Sequence, residues 1–281
     1  MTDYAKPDVL VSTDWLEEHL DDPSIRIIEV DEDTTAYDKG HVRNAVRWNW
    51  STDLHSDVGR DFQDQGGFSR LLSEAGVGPE TTVVLYGGNN NWFAAYAYWL
   101  LKLRGFDAVK LVNGGRKKWE LESRELTQDV PSVAPTGFAI TGRERPEIRA
   151  FRDEVIGKLG GPTGFVDVRS PEEYRGEKLA PDHLPQEQSQ VPGHIAGAAN
   201  IPWVQAANDD GTFKSAGELR ELYASKGITG DAETVAYCRI GERSSHTWFA
   251  LSELLGFDDV KNYDGSWTEY GSLVGAPVEI G

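Results

Sequence analysis

Residues 81–115 read "TTVVLYGGNNNWFAAYAYWLLKLRGFDAVKLVNGG", and residues 234–266 read "TVAYCRIGERSSHTWFALSELLGFDDVKNYDGS". A shift of 151 positions aligns the two without a gap. It lays Tyr86 on Tyr237, Gly105-Phe106-Asp107 on Gly256-Phe257-Asp258, and Val109-Lys110 on Val260-Lys261. An internal repeat settles the architecture before any local reading does, because each copy is one folding unit. Upstream, "GHVRNAVRWNW" from Gly40 matches "GHIAGAANIPW" from Gly193, and "IIEVD" from Ile27 resembles "GFVDVR" from Gly164. The second copy carries a polar, proline-containing insertion near "LAPDHLPQEQSQVP", read as a surface loop.

Between the copies lies "TQDVPSVAPTGFAITGRERPEI", whose prolines and small polar residues suit an extended linker. The expected organisation is therefore a first domain over 1–126, a linker over 127–147 and a second domain over 148–281. Within each copy, short β-branched runs ("VVLY", "TVAY") read as buried strands. "WFAAYAYWLLKLRG", "RSSHTWFALSELLG" and "SAGELRELYASKG" read as helices, the last with Ser215 as N-cap and Gly227 as its stop. Strands alternating with helices predict an α/β fold whose mainly parallel sheets are flanked by helices. Ligands in such folds gather beyond the C-terminal ends of the strands.

The chain of 281 residues has a formal charge of −18, and nine tryptophans speak for a packed interior. So acidic a chain argues against a nucleic-acid surface, which needs clustered Lys and Arg. Asp-rich, Lys-poor surfaces also resemble those of salt-adapted proteins, so a halophilic origin is expected. The start "MTDYAKPDVL" lacks the basic and apolar parts of a signal peptide, and no apolar run reaches the length of a membrane span. A lone cysteine makes no internal disulfide, and the expected compartment is a reducing cytoplasm with no membrane partner. Six scattered histidines and one cysteine give no metal-ligand spacing, and no cofactor motif follows a strand.

That single cysteine, Cys238, falls where the strand "TVAY" ends and a helix begins. Backbone N–H groups there, with Arg239 and Arg243 nearby, favour the thiolate, which is the nucleophilic form. The arginines offer planar forks for an anionic substrate, and Gly241 permits a tight cradle. A core cysteine would hardly be followed by Arg-Ile-Gly-Glu-Arg. The aligned position in the first copy is Gly87, so that copy has the scaffold without the nucleophile. Cys238 to Arg243 is C-x4-R, one residue shorter than the C-x5-R of cysteine phosphatases, and a smaller ring suits a sulfur atom better than a phosphate.

At these residues the chain resembles a two-domain thiosulfate sulfurtransferase of the rhodanese family. "CRIGERS" is similar to the active-site loop of microbial members, "YDGSWTEYG" from Tyr263 to a C-terminal signature, and "DVRSPEEY" and "VPGHIAGAANIP" to catalytic-domain segments. The resemblance implies tandem rhodanese-like domains, a catalytic second domain with a persulfide on Cys238, and a first domain that closes one side of the site. Substrate contacts are expected from Arg239, Ile240, Gly241, Glu242, Arg243 and Ser244, with Arg175, Trp92 and Phe93 lining the site. The substrates expected are an anionic sulfur donor and a thiophilic acceptor, cyanide or a thiol.

Four positions depart from the family pattern. Arg43-Asn44 stands where the second copy has Ala196-Gly197. Glu173 stands where animal relatives carry a substrate-binding arginine, and Ile240 where they carry a lysine. Glu242, in the loop, is expected to pair with an arginine or turn to solvent. Ser244 is expected to donate toward the sulfur or the substrate, or to cap the helix. Arg169 is expected to tie loops by ion pairing, His41 and His194 to be structural, and His246 to be packed or exposed rather than a base. Three other readings are weighed against thiosulfate transfer: a 3-mercaptopyruvate sulfurtransferase, whose loop is usually of a neutral Cys-Gly-Ser-Gly type; a phosphatase or arsenate reductase; and a non-enzymatic binding module.

Overall fold

The computed structural model describes residues 3–180 and 188–281. Half of the insertion read as a surface loop, residues 181–187, therefore lies outside the described residues. The chain divides into two compact units. One holds 8–145 and 209–212; the other holds residues 3–7, 146–208 and 213–281.

The first unit is built on five strands: β1 (Leu10–Val11), β2 (Ile25–Asp31), β3 (Val46–Asn49), β4 (Thr82–Tyr86) and β5 (Val109–Val112). They form one parallel sheet in the order β1-β5-β4-β2-β3. Because helices cover both faces of such a sheet, its strands read as near-continuous apolar runs. In β4 Val83, Val84, Leu85 and Tyr86 are all buried. Ile27, Val84, Val112, Tyr86 and Trp119 meet in the core on one side of this sheet. The second unit repeats the plan with β6 (Gly164–Asp167), β7 (His194–Ile195), β8 (Ala199–Asn200), β9 (Thr234–Tyr237), β10 (Val260–Tyr263) and β11 (Val278–Glu279). Its parallel sheet runs β10-β9-β6-β8, and β11 pairs antiparallel with β7.

Register confirms the repeat at atomic detail. Glu29 pairs with Tyr86 across β2 and β4, and Asp167 pairs with Tyr237 across β6 and β9. In each copy the tyrosine hydroxyl accepts a backbone N–H, from Val42 at 3.0 Å and from Ile195 at 3.1 Å. Each buried carboxylate is matched by a buried arginine, as ions removed from water must be. The arginine comes from different places. In the first copy Arg116, on the helix Gly115–Leu121, donates to Glu29 at 2.8 Å. In the second, Trp267 occupies that aligned position, and Arg169 from the end of β6 donates to Asp167 at 2.5 Å and to Gly193 O at 2.7 Å. Its guanidinium sits 4.8 Å from the Trp267 ring centroid. His41 and His194 stack on Tyr37 and Tyr174 at 3.7 and 3.6 Å, the same packing in both copies.

Two expectations change at the edges of the units. Residues 127–145, expected as linker, lie along the first unit. Thr127 bridges His41 through two 2.8 Å bonds, Phe138 packs edge-on against Phe106, and Arg145 N–H donates to Leu103 O at 2.7 Å. Proline-rich composition predicts an extended path, but only packing decides whether that path is free. At the other end, Ala5 N–H donates to Leu254 O and Lys6 N–H to Glu253 O, so this segment joins the second unit rather than the first. Helix Ala216–Ala224 starts at Ser215 with a reciprocal capping box to Glu218. The predicted helix over 243–256 is α-helical only to Trp248 and continues as a π-helix over Phe249–Leu254. Among the described residues no helix is long and apolar enough to cross a membrane.

Candidate active site

Strand β9 is buried along its whole length and delivers Cys238 to the C-terminal edge of its sheet. The chain then turns through Arg239, Ile240 and Gly241 into the helix Glu242–Trp248. Gly241 has φ +100°, and a Cβ there would lie 2.7 Å from Asp264 Cα, so both the angle and the space demand glycine. Its N–H points at the sulfur, with N to Cys238 Sγ 3.1 Å. Its carbonyl is held by Ser245 Oγ–H and Asn262 Nδ2–H, each at 2.9 Å.

The other end of the turn is fixed from the loop after β10. Ser266 stands in the left-handed region at φ +52°, unusual for a residue with a side chain. Its hydroxyl donates to Tyr263 O at 2.7 Å and accepts Cys238 N–H at 3.0 Å. The backbone repeats between copies: Trp267 N–H donates to Cys238 O at 3.1 Å, as Arg116 N–H does to Gly87 O at 2.9 Å. Ser266 aligns with Gly115, which also has positive φ. Asn262 and Ser266 were not singled out from sequence, although the alignment of Ser266 on a turn glycine was the available signal.

The charged groups are arranged differently from the expectation. Arg243 does not present an open fork. Its Nη1 and Nη2 donate to the two carboxylate oxygens of Glu173, both at 2.9 Å, and both side chains are buried. Glu173 is the third residue of the short helix Pro171–Tyr174, where it also accepts Ser170 N–H at 3.0 Å. The Arg243 guanidinium holds the Glu173 carboxyl below the usual range against the opposing effect of burial. The departure at Glu173 thus has a structural account: it neutralises a loop arginine. Glu242 does not turn to solvent. It is buried, with Oε2 3.6 Å from Cys238 Sγ, and burial raises its pKa while Arg243 and Arg239 pull it down.

Ser244, expected to face the sulfur or the substrate, lies 2.6 Å from Asn262 Oδ1 and 3.0 Å from Gly241 O. Ile240 is half-buried and Arg239 buried at the turn. Arg175 is exposed and bound to Glu177, two residues along the chain, at 2.7 Å. His246 is fully buried, stacked on Phe213 at 4.3 Å, and burial takes its pKa down to about 3. It is a neutral packing residue. Trp92 and Phe93 lie in the first unit, stacked 5.3 Å apart at the start of the long helix Gly88–Leu103.

The first copy has no room for a nucleophile at the matching place. A Cβ on Gly87 would fall 2.3 Å from Val30 O. The loop passes instead through Asn89, Asn90 and Asn91, all left-handed, a conformation that asparagine tolerates better than most residues. Asn91 Oδ1 accepts Gly87 N–H at 3.0 Å, and Asp31 accepts Gly88 N–H at 2.8 Å. A side-chain oxygen and a carboxylate fill the turn's donors in the copy that lacks the cysteine.

A duplicated α/β unit with one buried cysteine in a donor-lined turn at the end of a central strand defines the class of protein. Two segments, residues 12–122 and 152–273, match the rhodanese-like domain, and the chain belongs to that family. A Mycolicibacterium smegmatis protein named "Putative thiosulfate sulfurtransferase" is 62% identical over 99% of both chains. "Sulfur carrier protein TtuD" of Thermus thermophilus is 53% identical, also over 99% of both. The fold is shared with an anaerobic ergothioneine biosynthesis enzyme from Chlorobium limicola, at a TM-score of 0.85 and 24% identity over 99% of this chain and 71% of that one.

Proposed function

We propose that the protein is a thiosulfate sulfurtransferase working through a persulfide on Cys238. The observation that carries the reading is the Gly241 N–H aimed at Cys238 Sγ at 3.1 Å, in a turn whose Gly241 carbonyl is held by Ser245 and Asn262 and whose Cys238 backbone is held by Ser266 and Trp267. Such a donor stabilises negative charge on sulfur without reorganisation, the kind of help that weighs most in catalysis. The Cys238 thiolate attacks the outer sulfur of thiosulfate, sulfite departs, and a thiophilic acceptor then removes the outer sulfur. Full-length relatives bearing sulfurtransferase and sulfur-carrier names support this chemistry.

A second donor, 3-mercaptopyruvate, gains weight from one observation. With Arg243 committed to Glu173, the loop's cationic excess is smaller than its sequence implies. The same pairing opposes a phosphatase, which needs that arginine on its phosphate. The test is intact mass after exposure to thiosulfate, which should add one sulfur atom that cyanide then removes. Cys238→Ser should neither load nor turn over. Turnover by that variant would refute the mechanism, and kcat/KM for the two donors measured side by side decides between them.

A further inference from the structure

A polar cluster lies under the sulfur-bearing turn, and the first copy has apolar residues in its place. Asn262 stands on β10 opposite Ala236 of β9, as Leu111 stands on β5 opposite Leu85 of β4. The shift that aligns the copies lays Asn262 on Leu111, Ser244 on Phe93 and Ser245 on Ala94. All six of these residues are buried. One scaffold is thus filled in two ways, apolar where the turn carries Gly87 and polar where it carries Cys238. A buried amide and two buried hydroxyls are costly unless bonded, and apolar groups can replace such a set with little loss. The fold alone does not call for the polar set.

The bonds of the cluster close on themselves. A carbonyl oxygen only accepts, so Asn262 must turn its Nδ2 toward Gly241 O, at 2.9 Å. The second N–H of Nδ2 goes to Ser245 Oγ at 2.9 Å, and the Ser245 hydroxyl donates to Gly241 O at 2.9 Å. Asn262 Oδ1 accepts the Ser244 hydroxyl at 2.6 Å. Each of these side-chain protons has an acceptor, and two of them end on one carbonyl. That carbonyl belongs to the residue whose N–H meets Cys238 Sγ at 3.1 Å. Gly241, at φ +100° and without a side chain, has the widest backbone freedom in the turn. Fixing its carbonyl removes that freedom and keeps the N–H on the sulfur.

We propose that Asn262 is a positioning residue for sulfur transfer: with Ser245 beside it, it acts through the Gly241 carbonyl to hold the Gly241 N–H on Cys238 Sγ. The inference rests on the sulfurtransferase reading above. Its effect belongs mainly to the second half of the cycle. There cyanide attacks the outer sulfur of the persulfide anion and the bond between the two sulfurs breaks. The electron pair stays on Cys238 Sγ as a thiolate, and thiocyanate leaves. Negative charge grows on Sγ in that step, so a donor already aimed at Sγ lowers its barrier. In loading, the charge on Sγ is present at the start and is spent in the attack, so the same donor helps less.

The test separates the two half-reactions. Asn262→Leu and Ser245→Ala install the residues of the other copy. Each protein is loaded with thiosulfate, freed of donor and mixed with cyanide, and intact mass follows the loss of the sulfur. Removing such a donor outright costs about 10²–10³ in rate, so releasing one that stays in place should slow discharge about tenfold. Loading should still reach one sulfur per chain, and its rate constant should change by a smaller factor. Because both side chains act through one carbonyl, the double variant should be little slower than the slower single. Val260→Ala, a buried change on the same strand, should lower Tm and leave discharge at the native rate. If Asn262→Leu does not fold, Ser245→Ala decides. Folded variants that discharge at the native rate, or that slow loading and discharge by the same factor, overturn the proposal. A double variant slowed by the product of the two single factors overturns the shared route through Gly241. A native protein that takes no sulfur from thiosulfate sinks the functional reading instead, and hydrogen exchange at the Gly241 amide, read by NMR, then judges the positioning. Faster exchange in Asn262→Leu than in the native and Val260→Ala proteins supports it, and equal exchange overturns it.

Discussion

Glu173→Gln removes the charge that answers Arg243 while preserving the size of the side chain. In the native protein the two 2.9 Å bonds join groups whose side chains are 5% and 2% exposed, so solvent cannot replace the lost partner. Breaking one side of a buried pair costs about 3–5 kcal/mol, because the remaining ion stays desolvated. Gln keeps one acceptor oxygen, which places the expected loss near the lower figure, about 3 kcal/mol. For a chain of this size that is a fall in Tm of about 6–12 °C. The pH dependence has a definite sign. Arg243 lowers the folded-state pKa of Glu173, so the pair's stabilisation is complete above the ordinary carboxylate range and is lost as pH falls through the folded value. The variant should be less stable at neutral pH, and its stability should decline less on acidification. Urea unfolding at pH 7 and at mildly acidic pH measures both. A loss under about 1 kcal/mol at pH 7, the level of an exposed ion pair, would refute the claim that this pair is a buried, committed element of the active-site loop.

Three further outcomes are expected. His246, with a folded pKa near 3, stays neutral where the unfolded chain takes up a proton, so its contribution is intact above pH 6.5 and drains as pH falls toward 3. Because the unfolded imidazole is already half protonated at pH 6.5, the change from there to pH 4.5 amounts to about 2.3 kcal/mol, and His246→Phe should remove that much of the fall in unfolding free energy over that interval. Gly87→Cys should not create a second sulfur-loading site, since its Cβ would meet Val30 O at 2.3 Å; a second sulfur in its intact mass after thiosulfate would contradict this. With a net charge of −18, molar KCl should raise Tm by screening self-repulsion, and an equal or lower Tm in high salt would count against a salt-adapted surface.

What the sequence by itself determined was the duplication, the alternation of strands and helices, and the place of Cys238. Those are properties of residues read in order: apolar runs, glycine stops and a nucleophile at a strand-to-helix turn survive in a one-dimensional pattern because they act over a few positions. The aligned pair Tyr86 and Tyr237 was legible for the same reason, while the arginines that serve their neighbouring carboxylates were not. Arg116 lies 87 positions from Glu29, yet Arg169 lies two from Asp167, and nothing local announces that these do the same work. The site divides similarly. Gly241 was readable as a cradle glycine, whereas Arg243 was read as a substrate fork because its partner, Glu173, stands 70 positions earlier. Whether a charge is open to substrate or already answered depends on which side chain the tertiary fold carries within 3 Å of it in a place water has left. Burial makes that pairing obligatory, and only the packing of the helix at Pro171 against the loop after β9 decides it.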